Sequence, residues 1–416
     1  MKSSVLLTSV IFMLAGIYAG CVRTEKNEEG SVENKAQKKE EKQPVKLGEY
    51  AVMPGHYDIG ESIVASKDGA YVVAATTRQK DRSYDDVWLI GIDKNGNKAW
   101  DSILHEKGED ALGRIMSTPD GGYIIAGSTF STGAGMADGW LVKTDGKGEV
   151  QWKKTFGGTE IDRFEDICIT KDGGFAALGF TESKGAGSRD LWMVKTDSSG
   201  NKQWEKTFGG KKQEEGYVII QTGDGGYLAG GHTYSSGAGA ADFWIIRTDA
   251  SGNLKWKSVF GGENCETAYA LLETDGGFIA AGTYGPKPGN MDAWIMKLDP
   301  NGKMLWEKKL DGGGDDSVRS IIATDKGTFA AAGQHGKLEE GSFKNFGWMA
   351  EFDAAGKPLW EKILGEKSEH FASLVKTADG YAACGHTFAK ALKNNDVWVV
   401  KTDDKGSVIW EKTFGD

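Results

Sequence analysis

Seven carboxylates recur at one place in a repeating chain: Asp58, Asp110, Asp162, Glu214, Glu266, Asp316 and Glu369, each eight residues before a Thr or Ser. Carboxylates are hard oxygen ligands and proton carriers, so acids gathered on one rim could attract cations, hold Ca²⁺ or face a basic partner. Further acids flank them: Glu61, Glu109, Glu165, Asp166, Glu215, Asp315 and Glu366. The favoured reading is that each carboxylate accepts hydrogen bonds from the amides of a neighbouring turn, which explains why every copy keeps one, although both roles can belong to one residue. A second series stands two residues before a Trp (Asp86, Asp138, Asp190, Asp242, Asp292 and Asp396, with Phe346 in the remaining copy) and is expected to pin a loop. His232, His335 and His386 fall near matching positions of separate copies. They could meet only near a common axis, so a polar core or rim role is favoured over a metal site.

Other chemistry is missing. The chain has no nucleophile elbow, phosphate loop, HExxH or basic stripe. A net charge of −10 and a pI near 5.3 argue against nucleic acid. Cys168, Cys265 and Cys384 stand singly with no CxxC, so neither a zinc site nor a disulfide framework is indicated. No catalytic residue and no cofactor is assigned, Ca²⁺ alone being kept open. The balance leans away from an enzyme.

The elements that must position these residues come from a repeat. All 14 tryptophans belong to seven copies of a stretch typified by WLVKTDGKGEVQWKKTFGG (Trp140–Gly158). The first Trp of each copy (Trp88, Trp140, Trp192, Trp244, Trp294, Trp348, Trp398) is followed by the second 12 residues later. Between them lies Asp-x-x-Gly, in which Asp caps a turn and Gly takes the positive φ, so each stretch reads as a β-hairpin of constant turn length. Each unit of about fifty residues holds four strands. In the third they are A around Asp166–Thr170, B around Phe175–Thr181, C around Leu191–Asp197 and D around Lys202–Phe208. A tight Asp-Gly-Gly turn joins A to B. The pattern predicts an all-β, seven-bladed β-propeller with four antiparallel strands per blade, over residues 46–416. Short AB and CD turns share one face, and the longer BC and DA connections share the other. Glu49–Gly55 matches the D-strand pattern and is expected to latch the N-terminus near blade seven.

The series Asp-Gly-Gly-Tyr, Asp-x-Trp-Leu-Val-Lys-Thr-Asp and Trp-x-Lys-Thr-Phe-Gly-Gly resembles the repeats of bacterial and archaeal surface lipoproteins of the β-propeller type. It is distantly similar to quinoprotein-type propeller repeats. The shorter turn, the blade count and the lack of adjacent cysteines argue against a quinone cofactor. Thr118-x-Asp120-x-Gly122 matches half of a sialidase-type Asp box, whose Thr-Trp ending is missing.

Residues 1–20 carry Lys2, an apolar run from Val5 to Ile17 and small residues at the end, the pattern of a secretory signal. Tyr18-Ala19-Gly20-Cys21 resembles a bacterial lipobox, which implies acylation of Cys21. Residues 21–45 are charged, nearly balanced and poor in apolar side chains, as a solvated tether is.

Recognition should break the symmetry. Blades two to four share a Gly-Ala-Gly BC loop (from Gly133, Gly185 and Gly237). Blades five, six and seven depart from it with loops containing Lys287, Lys337 and Lys390. These lysines and the seven carboxylates are the candidate partner-binding residues on the BC/DA face. The expectation is an extracytoplasmic, membrane-anchored lipoprotein of the cell surface or periplasm. It would be monomeric, touch the membrane through its anchor only, and act as a binding scaffold for an envelope protein or glycan. The alternative is an envelope enzyme or carbohydrate-binding protein with a Ca²⁺ or substrate pocket near the axis.

Overall fold

Each CD turn is built by its Asp and Gly. In the computed structural model of the chain, Asp93 Oδ1 accepts from the amides of Asn95 and Asn97 at 2.8 and 2.9 Å, and Gly96 leaves the turn with φ of 85°. Asp145, Asp197, Asp249, Asp299, Asp353 and Asp403 repeat the arrangement. The structure describes residues 57–66, 69–79, 84–104, 107–287, 290–339, 342–366, 368–389 and 394–415.

The described residues form 28 strands in seven sheets of four antiparallel strands, with no helix among them. The strands of a sheet are consecutive in the chain. In blade three they are A Asp162–Ile169, B Phe175–Thr181, C Asp190–Thr196 and D Lys202–Phe208. The A strands of successive blades lie beside one another, first against last included, so they line the axis. Strands B and C are buried throughout in this blade, and D is half-exposed on the outside. The chain is a seven-bladed β-propeller.

One strand differs from the sequence expectation. Strand A of blade three begins at Asp162, four residues earlier than the pattern suggests. Its register against B jumps from Asp166↔Leu178 to Phe164↔Gly179, leaving Glu165 as the extra residue of a β-bulge. All seven A strands carry this bulge at the matching place. A bulge breaks the two-residue alternation, which is why the first half of the strand looks like loop.

The core lies between blades. The second Trp of each repeat packs on the CD turn of the next blade: Trp100 touches Gly148, where a Cβ would lie 3.0 Å from the indole. It also meets the aromatic that opens the next B strand, as Trp204 meets Tyr227 at 5.7 Å. Trp410 does the same across the seam, against Gly96 and Tyr71, and its Nε1 donates to the Lys94 carbonyl at 3.3 Å. Ring closure therefore uses the contact that joins every other pair of blades. The expected N-terminal latch, Glu49–Gly55, lies outside the described residues.

The first Trp of each repeat is buried, and its Nε1 needs an acceptor. Trp294 and Trp348 donate to Glu307 and Glu361 at 2.8 and 2.6 Å. Those glutamates follow the second Trp. Blade four has Lys257 there, and Trp244 Nε1 is buried without a partner. Lys257→Glu is expected to raise stability by about 1 kcal/mol, read as a higher urea midpoint. Gly148 and Gly121 both have positive φ (81° and 87°), but a Cβ at Gly121 meets nothing within 4 Å. Gly121→Ala should cost only the backbone term, about 1–2 kcal/mol. Gly148→Ala should cost clearly more in the same titration.

Candidate binding surface and axial channel

The seven repeated carboxylates lie within one residue of the start of the A strands, and all are buried, at most 4% exposed. Asp162 shows what they do. Its Oδ2 accepts from the Gly158 amide at 2.7 Å and from Ser183 Oγ at 2.6 Å, while Oδ1 accepts from Thr181. Glu214 accepts from the Gly210 amide at 2.6 Å and from Thr233 Oγ1 at 3.0 Å. Glu266 and Asp316 take the Gly262 and Gly312 amides, and Glu369 takes Thr387 Oγ1. Asp58 and Asp110 occupy the same place, at most 1% exposed. The carboxylate thus ties the Phe-Gly-Gly end of strand D to the end of strand B. A side chain spent this way is not an exposed rim acid, and the bulge explains the difference: it draws these residues into the strand.

The second aspartate series is buried too, apart from Asp396, which is half-buried. Asp190 Oδ2 accepts from the Ala186 and Gly187 amides, both at 2.9 Å, and so holds the Gly-Ala-Gly loop. His232 and His386 are each 8% exposed, and His335 Nδ1 sits 2.9 Å from Asp316 Oδ1. Among the described residues, no group of three or more His, Cys, Asp or Glu is placed to hold a metal ion.

The symmetry breaks where the BC connections differ. Strand B runs Gly277–Lys287 in blade five, Phe329–Glu339 in blade six and Gly380–Ala389 in blade seven, against seven residues in blades two to four. In blade six the ladder continues to Glu339↔Ser342, so a hairpin projects from the BC/DA face. Leu338 and Phe343 are paired across it and are 54% and 63% exposed. Lys337 is exposed beside them, and Lys287 ends the blade-five strand. Lys390 lies outside the described residues, as does Cys21.

The axis holds ionisable groups, several of which the sequence reading noted only as neighbours. The bulge residues Glu61, Glu165, Tyr217, Tyr269 and Arg319 are half-buried along it. Arg163 Nε pairs with Glu165 at 2.6 Å. Arg189 bridges Glu182 and Glu215 at 2.8 and 2.6 Å, and Tyr217 donates to Glu215 at 2.5 Å. Burial pushes Glu61 up to about 8, and Glu165 and Glu109 to about 7. Burial would raise Glu215 as well, but His232, Arg189 and Tyr217 hold it below its ordinary value. The signal available in the sequence was residue type: the bulge position varies between charged, aromatic and small, whereas the scaffold carboxylate never changes.

Thr76 Oγ1 donates to Glu61 at 2.5 Å, and Arg163, Glu165 and Asp85 supply the surrounding charge. With its folded value near 8 and its ordinary value 4.5, Glu61 keeps a proton in the folded state that the unfolded chain has lost. The folded state then binds more protons, so stability falls as pH rises from about 5 to about 8. Glu61→Gln should flatten that fall in urea midpoints measured across this range. In the slope that remains, Glu165, Glu109 and Glu266 add to the fall, and His232, His370 and His386, held below their ordinary values by burial, oppose it.

No protein-family model matches the chain, and no curated protein matches it. Among solved structures it is similar to a protein of unknown function from Dyadobacter fermentans, 12% identical, with 71% of this chain and 95% of that one covered and a TM-score of 0.45. It is also similar to Sqt1 from Chaetomium thermophilum, 11% identical over 86% and 88% of the two chains, with a TM-score of 0.48. The β-propeller domain of the Trilobed protease from Pyrococcus furiosus is 11% identical over 87% and 96%, with a TM-score of 0.48. At such identities no activity passes from these proteins to this one.

Proposed function

We propose that the chain is a lipid-anchored protein of the cell envelope that binds a protein partner through the BC/DA face of its propeller. The observation that carries this reading is the blade-six hairpin, which holds Leu338 and Phe343 exposed above a polar face. Large apolar side chains on a rigid projection, ringed by charge, are what a recognition surface uses. Lys337 stands beside them, and Lys287 and Lys390 belong to the neighbouring irregular loops. The seven buried carboxylates serve such a surface indirectly, by fixing the strand ends from which the loops spring. Lipobox-like residues up to Cys21 and the charged stretch after it supply anchor and reach.

A second reading, an envelope enzyme or glycan-binding protein, is favoured by one feature: acids with raised pKa beside arginines and tyrosines at the axis. Thermal-shift screens with Ca²⁺ and glycans would detect it, and a ligand-induced shift lost in Glu165→Gln would put that reading first.

Two variants test the leading one. Cys21→Ser should abolish incorporation of labelled fatty acid in a bacterial host and move the protein from the membrane to the soluble fraction. The immobilised protein should retain an envelope protein from detergent extract, and Leu338→Asp with Phe343→Asp should lose it without a change in melting temperature. Retention undiminished in the double variant would remove the hairpin from the argument.

A further inference from the structure

On the opposite, AB/CD face, the A strands surround an axial cavity of about 500 Å³. That size suits a small organic ligand. Part of its wall is apolar: Met116, Ile169, Ile220, Leu272 and Ile322 are half-buried and contribute to the lining. Its charged residues are Arg114, Arg319 and Lys171 against the single acid Asp166. A cationic cavity in a chain of net charge −10 runs against the rest of the molecule.

The arginines are placed by the backbone. Arg319 is the bulge residue between Val318 and Ser320, and the facing bulge residue, Tyr269, lies under its guanidinium at 4.1 Å from the ring centre. Among the described residues no carboxylate pairs with Arg319. Arg114 pairs with Asp166 through Nε at 3.2 Å, and the other oxygen of Asp166 accepts the Ile219 amide at 2.7 Å. The one acid is thus occupied, and the guanidinium forks remain for a planar anion.

We infer that this cavity binds a single-chain amphiphilic carboxylate, its head on Arg319 and Arg114 and its aliphatic body against Ile220, Leu272 and Ile322. The site lies on the face away from the blade-six hairpin and stands or falls independently of the partner-binding reading.

The test is calorimetric titration of the full chain carrying Cys21→Ser, so that no detergent competes, with sodium decanoate below its micellar range, decan-1-ol and decylammonium. Decanoate should bind saturably with one site per chain, and the neutral and cationic probes at least tenfold more weakly. Arg319→Gln should weaken decanoate at least tenfold and narrow its advantage over decanol. Ile322→Trp, which fills the cavity, should abolish binding, with circular dichroism and melting temperature confirming that both variants fold. The inference is overturned by absent or non-saturable decanoate binding, by decanol binding equally well, or by a folded variant that keeps wild-type affinity. Should both variants unfold, the comparison of head groups on the unsubstituted cavity decides.

Discussion

The fold depends on one contact made seven times: an indole packed against the glycine of the next blade's CD turn. At Gly302 a Cβ would lie 2.6 Å from Trp256, so only glycine lets the ring approach, and the positive φ of the turn asks for glycine as well. Two independent demands therefore fall on one residue. Each Trp removes its own surface and part of the neighbouring turn from water, a contribution of about 2–3 kcal/mol per large side chain. Because the contact always points to the next blade, a linear repeat becomes a ring whose last member, Trp410, finds Gly96 of the first. No strand exchange is needed among the described residues to close it.

This explains how much of the molecule could be read beforehand. Tryptophan spacing and Asp-x-x-Gly are local demands, visible as repeats, and they define strands C and D and the blade number. The seven-bladed architecture follows from them. Strand A was harder because its bulge shifts the register between Phe164 and Asp166, and alternation is the only strand signal a half-buried segment offers. The same shift carried the repeated carboxylates from an expected rim into the interior. Their conservation of type across blades was the sign of scaffold work: Asp162 and Glu214 reach equivalent amides and hydroxyls with side chains of different length.

What repeats in this chain holds it together, and what varies is free to recognise. The bulge position follows that division at the axis. It is Glu61, Gly113, Glu165, Tyr217, Tyr269, Arg319 and Ala372 in turn, and among these described residues only the run Tyr217, Tyr269 and Arg319 forms ring contacts between neighbours. A bulge residue lacks a ladder partner, so its side chain is released from sheet pairing and projects where the strands converge. Seven such positions around one axis give the propeller a set of sites whose chemistry can change without disturbing a blade.

The two ends of the axis have diverged accordingly. Toward the BC/DA face, Arg163, Arg189, Glu165 and Glu215 neutralise one another in close pairs, and Tyr217 completes the bonding of Glu215. Such a network is nearly self-sufficient and stiffens the ring. Toward the AB/CD face, part of the wall is aliphatic and the cations outnumber the acid. An unbalanced charge beside apolar walls is costly to keep unless water or a ligand completes it. The imbalance lies on the face whose turns are shortest and most regular, where loop variation offers no specificity. As proposed, selectivity on that side comes from the strands themselves, through Arg114, Tyr269 and Arg319, and selectivity on the other from the projecting blade-six hairpin.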